Sequence, residues 1–280
     1  MVGPARSEFH VEIKTSDTNA VDALAEVSGL SKQRIKMAMQ RGAAWLTSGG
    51  SCRRIRRVKK VLRAGDELDL YYDERVLLSD PVVPTLIADE GDYSLWFKPC
   101  GLLSQGSKWG DHCTVSRWVE QHLTPQRPSF IIHRLDRAAT GFILVGHTKK
   151  ATAALANLFQ SREIEKAYQV IVHGEFPEAA SPVIINIEID GKAATSHVTR
   201  LAFDQQQQRS LLSVRIETGR KHQIRRHLFE SGYAVVGDRL YGTGDDKEDL
   251  QLTACYLAFK CPLSGETSRY TLADEFLPVL

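Results

Sequence analysis

The chain has 280 residues, of which 42% are hydrophobic and 25% charged, and its formal net charge is +2. These values are typical of a soluble globular protein with room for one large domain, or for a large and a small one. No run approaches the roughly 18 apolar residues of a membrane span, and the N-terminus lacks an apolar segment of the secretory type. The sequence therefore predicts no membrane partner.

The five cysteines form an odd set without a CxxC pair. This usage favours reduced thiols in a cytoplasmic protein over a disulfide framework or a structural zinc site. We therefore expect a cytoplasmic localisation.

Residues 20–41 predict two short helices in the N-terminal part of the chain. Gly29 ends the first helix, and Ser31 is a suitable N-cap for the second, in which Ile35, Ala38 and Met39 share one face. A short strand at residues 44–46, the turn SGGS and the stretch RAGDELDLYY follow, the last with alternating leucines.

Charge in this region is strongly segregated. Residues 31–63 contain eleven Lys or Arg and no Asp or Glu, and residues 66–74 are acidic. Such a one-signed block attracts phosphates, although a solvated charged face is the simpler alternative. The cations that we expect to contact nucleic acid here are Lys32, Arg34, Arg53, Arg54, Arg56 and Arg57.

This N-terminal unit resembles the S4 RNA-binding domain. The resemblance depends on the helix pair with Ser31 and Ile35, on Gly42 and on the GDE turn at residues 65–67. It implies a small S4-like α/β domain at residues 1–72. Residues 73–87 contain two prolines and little periodicity, which predicts a linker, and residues 88–280 would form a second domain.

The second part of the chain alternates strand-like and helix-like patterns. Residues 93–98, 140–147, 166–176 and 211–216 predict strands, and residues 114–123, 149–162 and 222–231 predict helices. Strands separated by helices without a regular βαβ repeat predict an α+β domain around a mixed sheet.

Three stretches of this part carry chemically informative residues. Asp136 lies between Arg134 and Arg137 in HRLDR, Tyr168 lies in EKAYQV, and a cationic helix start is found in TGRKHQIRRHL. A carboxylate close to an arginine stays ionised and can act as a nucleophile. A salt bridge at a strand edge is the structural alternative for Asp136.

Other chemistries have less support. The cationic neighbours of His133, His222 and His227 oppose a metal site. The motifs of serine hydrolases, P-loop proteins and dinucleotide-binding proteins are absent, and the lone acid argues against two-carboxylate glycoside hydrolysis.

Four motifs in this order resemble those of the RluA family of RNA pseudouridine synthases. They are FKPCGLL, IIHRLDRAATGFIL, EKAYQVIVHG, and TGRKHQIRRHL followed by GYAVVGDRLYG. The resemblance implies the pseudouridine synthase fold, which is a mixed, largely antiparallel central sheet with flanking helices.

The resemblance also implies roles for individual residues. Asp136 would be the nucleophile, at the ribose or at the base, Tyr168 would pack against the flipped uracil, and Arg225 would pair with Asp136. The glycosidic bond cannot be reached inside a stacked helix, so the nucleotide must flip out. Arg134 would then fill the place that the nucleotide leaves in the stack. The reaction is an isomerisation, so the family resemblance implies no cofactor and no metal.

The leading hypothesis is therefore a monomeric enzyme that isomerises uridines in structured ribosomal or transfer RNA. The alternative is a catalytically silent RNA-binding or ribosome-assembly module with the same fold. Under either hypothesis we expect further RNA contacts from His133, Arg134, Arg137, Arg220, Lys221 and His222.

Overall fold

The computed structural model describes residues 6–242 and 247–280, which divide into two compact units. Within the described residues, the first unit contains residues 6–81 and 105–121, and the second contains residues 82–104, 122–242 and 247–280. The chain therefore leaves the second unit at residue 104 and rejoins it at residue 122. The domain boundaries predicted at residues 72 and 88 do not include this excursion.

The first unit is built from short strands and helices. They are β1 (Arg6–Glu12), β2 (Thr18–Asn19), α1 (Ala20–Ser28), α2 (Lys32–Gln40), β3 (Ala44–Ser48), β4 (Ser51–Arg54), β5 (Val61–Leu62), β6 (Glu67–Asp73), α3 (Glu74–Leu77) and α4 (Val115–His122). Strands β1, β6, β3 and β4 form an antiparallel sheet in that order, and β2 pairs with β5.

The two predicted helices of the first unit are confirmed together with their caps. Ser31 Oγ accepts a hydrogen bond from the Arg34 N–H at the start of α2, and Gly29 ends α1 in the left-handed conformation. The apolar face predicted for α2 is fully buried in the core of this unit, which also contains Leu46, Leu68 and Leu70.

The predicted linker at residues 73–87 contains secondary structure. Asp73 caps the four-residue helix α3, and strand β7 (Thr85–Asp89) begins before the predicted end of the linker. These elements were missed because each has only four or five residues, which is too short for a recognisable hydrophobic period.

Residues 105–121 pack against the sheet of the first unit. The Trp45 indole N–H donates to the Lys108 carbonyl oxygen at 3.2 Å, and the Asp111 N–H donates to the Arg41 carbonyl oxygen at 3.1 Å. The Trp109 ring meets the Tyr71 ring edge-on at 5.8 Å. A separate piece of chain therefore completes one face of this unit.

The second unit contains the larger sheet. Its other elements are β8 (Tyr93–Lys98), β9 (Phe130–Ile131), β10 (Thr140–Gly146), α5 (Lys149–Ser161), β11 (Glu165–His173), β12 (Val183–Asn186), β13 (Thr195–Asp204), β14 (Arg209–Ile216), α6 (Gln223–Glu230), β15 (Leu252–Lys260) and β16 (Thr267–Thr271). A 3₁₀ turn follows at Asp274–Phe276.

The main strand order of this sheet is β12-β13-β14-β11-β15-β10-β8-β7, with β16 paired to β15 and β9 paired to β10. Only β10 and β15 pair in parallel among the described strands. The fold class predicted for this part of the chain, α+β with a mixed, largely antiparallel sheet, is confirmed. No helix in the described residues is long and apolar enough to span a bilayer.

Gly141 explains how β10 and β15 approach each other. Its φ is +107°, and a Cβ atom there would lie 2.3 Å from the Ala254 carbonyl oxygen. A glycine is therefore required where the loop that carries Asp136 enters β10. This close pairing brings that loop beside β15 and its other neighbour β11, which carries Tyr168.

Candidate active site

Asp136 lies in the loop between β9 and β10, and both of its neighbours in the chain are fixed by buried side chains. Ser104 Oγ donates to the Leu135 carbonyl oxygen at 2.8 Å and accepts from the Leu135 N–H at 3.0 Å. Lys98 Nζ donates to the carbonyl oxygens of Arg137, Leu102 and Pro99 at 3.0–3.1 Å. The loop is therefore held on each side of the carboxylate.

Lys98 has a role that its place at the end of a strand did not suggest. Its side chain is fully buried, and burial lowers the pKa of its ammonium group to about 8. The nearby Cys100 and Asp136 oppose this effect on the pKa, and the three carbonyl acceptors satisfy all three ammonium donors. Lys98 therefore links the end of β8 to the Asp136 loop through the backbone.

Arg225 bridges two carboxylates. Its Nη1 donates to Asp136 Oδ2 at 3.1 Å, while Nε and Nη2 donate to the two oxygens of Asp238 at 2.7 Å each. The Arg225 side chain is 8% exposed, that of Asp136 28% and that of Asp238 1%. The contact expected between residues 136 and 225 is thus present, but the stronger pairing of this arginine is to Asp238.

His222 faces the same carboxylate from the start of α6. Its Nε2 lies 3.7 Å from Asp136 Oδ1, and its Nδ1 lies 2.9 Å from the Tyr241 hydroxyl. Its φ is +55°, a left-handed conformation that histidine adopts more readily than most residues. Burial lowers the pKa of His222, and the charge of Asp136 opposes this effect only in part, so the ring is neutral at pH 7.

Asp136 and Tyr168 line one cleft of the second unit, which is open to solvent. Leu252, Ile216 and Ile224 supply apolar parts of its wall. Burial raises the pKa of the Tyr168 phenol, so it stays protonated at neutral pH. A carboxylate, a phenol and apolar walls in one cleft are suited to binding a planar polar ring.

Cations lie around this cleft. Arg134 and Arg220 line it, Lys221 is exposed, and Arg220 Nε also donates to the Ala193 carbonyl oxygen at 3.2 Å. Arg137 is exposed, and its Nε donates to the Gly101 carbonyl oxygen at 3.1 Å. Guanidinium and ammonium groups at the rim of a cleft are suited to phosphate contacts.

His133 is placed differently from the other residues predicted to contact RNA. Its Nε2 accepts the Leu144 N–H at 3.0 Å, and its ring stacks on Phe159 with centroids 4.4 Å apart. Burial lowers the pKa of His133 to about 3, so it carries no positive charge at neutral pH. This geometry corresponds to a packed, neutral histidine and not to a cation facing a polyanion.

The basic residues predicted in the first unit fall into two groups. Arg54 and Arg56 share the carboxylate of Asp111, to which Arg54 Nη1 is 3.0 Å distant. Lys32 pairs with Asp22 at 2.7 Å and Arg34 with Glu74 at 3.4 Å, and these pairs are more exposed. Arg53 and Arg57 are also exposed. The basic block is therefore partly neutralised by an acid from residues 105–121, which the sequence did not reveal.

Sequence reasoning missed three residues that support the site, namely Lys98, Ser104 and Asp238. Asp238 belongs to the GDRLYG stretch, so the motif itself marked it. Lys98 lies in the first motif and Ser104 directly follows it, but their contacts with the Asp136 loop are to backbone atoms 31 to 39 residues away. Only the folded chain shows these contacts.

Comparison with known proteins agrees with this geometry. The family described as RNA pseudouridylate synthase matches residues 92–230. An uncharacterised RNA pseudouridine synthase of Aquifex aeolicus is 29% identical over 84% of this chain and 83% of its own length. One from Synechocystis is 30% identical over 65% of this chain and 67% of its own length.

A solved structure supports the fold. Human RNA pseudouridylate synthase domain-containing protein 1 has a TM-score of 0.60 at 22% identity, over 71% of this chain and 88% of that chain. The residues that match the family include both Asp136 and Arg225. The chain therefore belongs to the RNA pseudouridylate synthase family, of the RluA type expected from its four motifs.

Proposed function

We propose that this protein converts specific uridines of ribosomal or transfer RNA into pseudouridine, with Asp136 as the nucleophile. The observation that carries this proposal is the asymmetric binding of the Asp136 carboxylate. Oδ2 accepts a hydrogen bond from Arg225, whereas Oδ1 accepts none within 3.5 Å from the described part of the chain. One oxygen is thus oriented and the other is free to attack.

The reaction breaks the bond between C1′ and N1 of the nucleotide and forms a bond between C1′ and C5. The proton that leaves C5 is balanced by one gained at N1, so no oxidant, reductant or cofactor is consumed. Attack by Asp136 at the ribose or at the base would each allow the uracil to detach, rotate and rejoin. Arg225 would hold the carboxylate in its ionised, oriented form.

Tyr168 would pack against the flipped uracil, where its protonated phenol can donate a hydrogen bond but cannot take up the C5 proton. Its phenol carries the polar atom of this wall of the cleft, and its ring provides apolar area for a base. Arg134 would occupy the space in the RNA stack from which the uridine is withdrawn, because its side chain is exposed at the rim. Arg220 and Lys221 would bind neighbouring phosphates.

The first unit would act as an S4-like module that adds RNA affinity. Lys32, Arg34, Arg53 and Arg57 are exposed cations of this unit, and Arg54 and Arg56 would contribute less because Asp111 already binds them. We expect the enzyme to act as a cytoplasmic monomer, which fits its five free cysteines.

The experiment maps pseudouridine across total RNA from cells that lack the gene, complemented with wild-type protein, Asp136→Asn or Asp190→Asn. Asp136→Asn removes the nucleophilic charge at nearly constant volume and should abolish the sites that wild type restores. Asp190 is 69% exposed and pairs with Arg226, so its amide variant is the matched control and should restore them. Pseudouridine restored by Asp136→Asn would refute the nucleophile assignment.

The catalytically silent alternative makes a different prediction for the same experiment. Wild-type protein would then bind RNA while no uridine differs between the complemented and the deleted cells. Binding by the first unit is tested separately by changing Lys32, Arg34, Arg53 and Arg57 to Gln. The slope of log affinity against log salt should become less steep by roughly 0.7 for each phosphate of single-stranded RNA that the variant no longer neutralises. An unchanged slope would remove the S4-like role.

A further inference from the structure

Asp238 is the most completely bound carboxylate near the candidate site. It is 2% exposed, and its two oxygens accept four hydrogen bonds, from Arg225 Nε and Nη2 at 2.7 Å and from the Leu240 and Tyr241 N–H groups at 2.9 and 3.1 Å. Burial opposes its charge, but these donors outweigh burial and lower the pKa of Asp238. A buried anion with this many donors fixes the position of each of them.

The first connection from Asp238 to the reacting centre runs through Arg225. A bidentate pairing fixes the plane of the guanidinium, and the one outward nitrogen, Nη1, then points at Asp136 Oδ2. Without Asp238 the same side chain could rotate about several bonds and bind Asp136 in other ways. The direction of the hydrogen bond to the nucleophile is therefore set by Asp238.

The second connection runs through the turn at residues 240 and 241. Asp238 Oδ1 holds the N–H groups of this turn, and the Tyr241 hydroxyl lies 2.9 Å from His222 Nδ1. A neutral imidazole carries one proton, and the ionised Asp136 favours an N–H on the side that faces it. The Tyr241 hydroxyl then donates to Nδ1, which places the single ring proton of His222 on Nε2, 3.7 Å from Asp136 Oδ1.

We propose that Asp238 is a positioning residue that orients the two groups facing Asp136, namely its hydrogen-bond donor Arg225 directly and the neighbouring His222 ring through Tyr241. The inference rests on the proposed function, because it assigns the two groups to the nucleophile of that reaction. It adds that one buried carboxylate, which does not touch the RNA, determines how the nucleophile is held. Only the connection through Arg225 ends in a hydrogen bond to Asp136, so it should carry most of the effect.

The test is a double-mutant cycle of Asp238→Asn and Arg225→Met, measured by single-turnover release of tritium. The probe is total RNA labelled with tritium at uridine C5, taken from cells in which the gene is deleted. Each single variant should slow release on the order of 100-fold, as for the loss of one oriented donor in a desolvated site. The double variant should be less than about tenfold slower than Arg225→Met, since Asp238 acts mainly through that arginine.

A purely structural role for Asp238 predicts a different result. The rate losses of the two single variants would then be independent and would multiply, so the double variant would release tritium roughly 10,000-fold more slowly than wild type. That outcome overturns the proposal. Filter binding with the same RNA should show unchanged affinity for Asp238→Asn. A rate of tritium release equal to that of wild type would also overturn the positioning role of Asp238. Asp190→Asn, the same change at an exposed carboxylate, should leave the rate and affinity unchanged.

Tyr241→Phe tests the second connection even if Asp238→Asn does not fold. It leaves Asp238 and its four donors in place and removes only the hydroxyl that binds His222. Release should slow about three- to tenfold, as expected for one neutral hydrogen bond, with unchanged RNA affinity, and an unchanged rate would overturn this connection. If wild-type protein itself releases no tritium, the proposed function fails. If wild type is active and Asp238→Asn equally so, only the positioning inference fails.

Discussion

Replacing Arg225 separates the chemical role of this residue from its structural one. Arg225→Met removes one hydrogen bond to Asp136 and two to Asp238, and the side chain of Asp238 is only 1% exposed. The loss at Asp238 should lower the free energy of unfolding by about 3–5 kcal/mol, because a buried carboxylate is left without its charged partner. The loss at Asp136 should raise the barrier of the reaction by about 3 kcal/mol, which is on the order of 150-fold in rate.

Arg225→Lys keeps the positive charge but replaces a planar fork by a single ammonium group. Lysine cannot donate to both Asp238 oxygens in that geometry and reach Asp136 as well. We therefore expect a rate between those of wild type and Arg225→Met. Urea unfolding should rank the three proteins in the same order.

Arg226 is the matched control, because it lies next to Arg225 on α6 and has the same side chain. Its Nη1 pairs with Asp190 at 2.9 Å, away from Asp136, and Asp190 is largely exposed. Arg226→Met should leave the single-turnover rate within about twofold of wild type, since the loss of an exposed ion pair has little effect. Equal rate losses at 225 and 226 would refute the argument and would mean that α6 provides only a diffuse basic surface.

Three further predictions address the rest of the chain. Asp111→Asn removes the carboxylate shared by Arg54 and Arg56 of the basic block. RNA affinity measured by filter binding should therefore rise, and it should depend more steeply on salt between about 50 and 200 mM. Unchanged affinity would contradict a phosphate-binding role for these arginines. Gly42→Ala, at a φ of +84°, places a Cβ atom 2.3 Å from Asp111 Oδ1, so the Asp111 side chain must shift and its pairing with Arg56 is disturbed. We expect the free energy of unfolding to fall by about 2–3 kcal/mol, whereas Gly49→Ala, with a φ of +56° and open space around it, should lower it by only about 1 kcal/mol. Equal effects would show that the contact with Asp111 is unimportant. His133 has a folded pKa of about 3 and should titrate near its usual value when unfolded, so the unfolded chain binds the extra proton and stability falls as the pH drops through about 6.5. Between about pH 6.5 and 5, the free energy of unfolding measured with urea should therefore fall by about 2 kcal/mol less in His133→Gln than in wild type. An unchanged pH dependence would show that His133 is not buried as a neutral ring.

Local patterns in the sequence predicted much of the fold because local interactions determine those elements. The caps at Ser31 and Gly29 mark the ends of α2 and α1, and the apolar stripe of residues 149–162 becomes α5. Each of these signals lies within a few residues of the element that it defines. The return of residues 105–121 to the first unit has no such signal, because its contacts involve residues up to about 100 positions away.

The candidate site was predictable only in part for the same reason. Motif resemblance identified Asp136 and Arg225, which are 89 positions apart in the sequence. Nothing in the sequence showed that the arginine gives two of its three hydrogen bonds to Asp238. His133 was expected to contact RNA from its place in the motif, although the isoleucines before it are an apolar context that favours burial.

The distribution of charge explains why the arginine is divided between two acids. A bidentate arginine on Asp136 would occupy both carboxylate oxygens and stabilise the anion that must react. Binding Asp238 through Nε and Nη2 leaves a single nitrogen for Asp136, so Oδ2 is oriented while Oδ1 accepts no hydrogen bond from this arginine, as the proposed attack requires. With His222 neutral, the two carboxylates and one guanidinium give the centre a net negative charge. Arg134 and Arg220 line the same cleft and Lys221 is exposed, and in the proposed reaction these cations would attract the phosphates of the RNA.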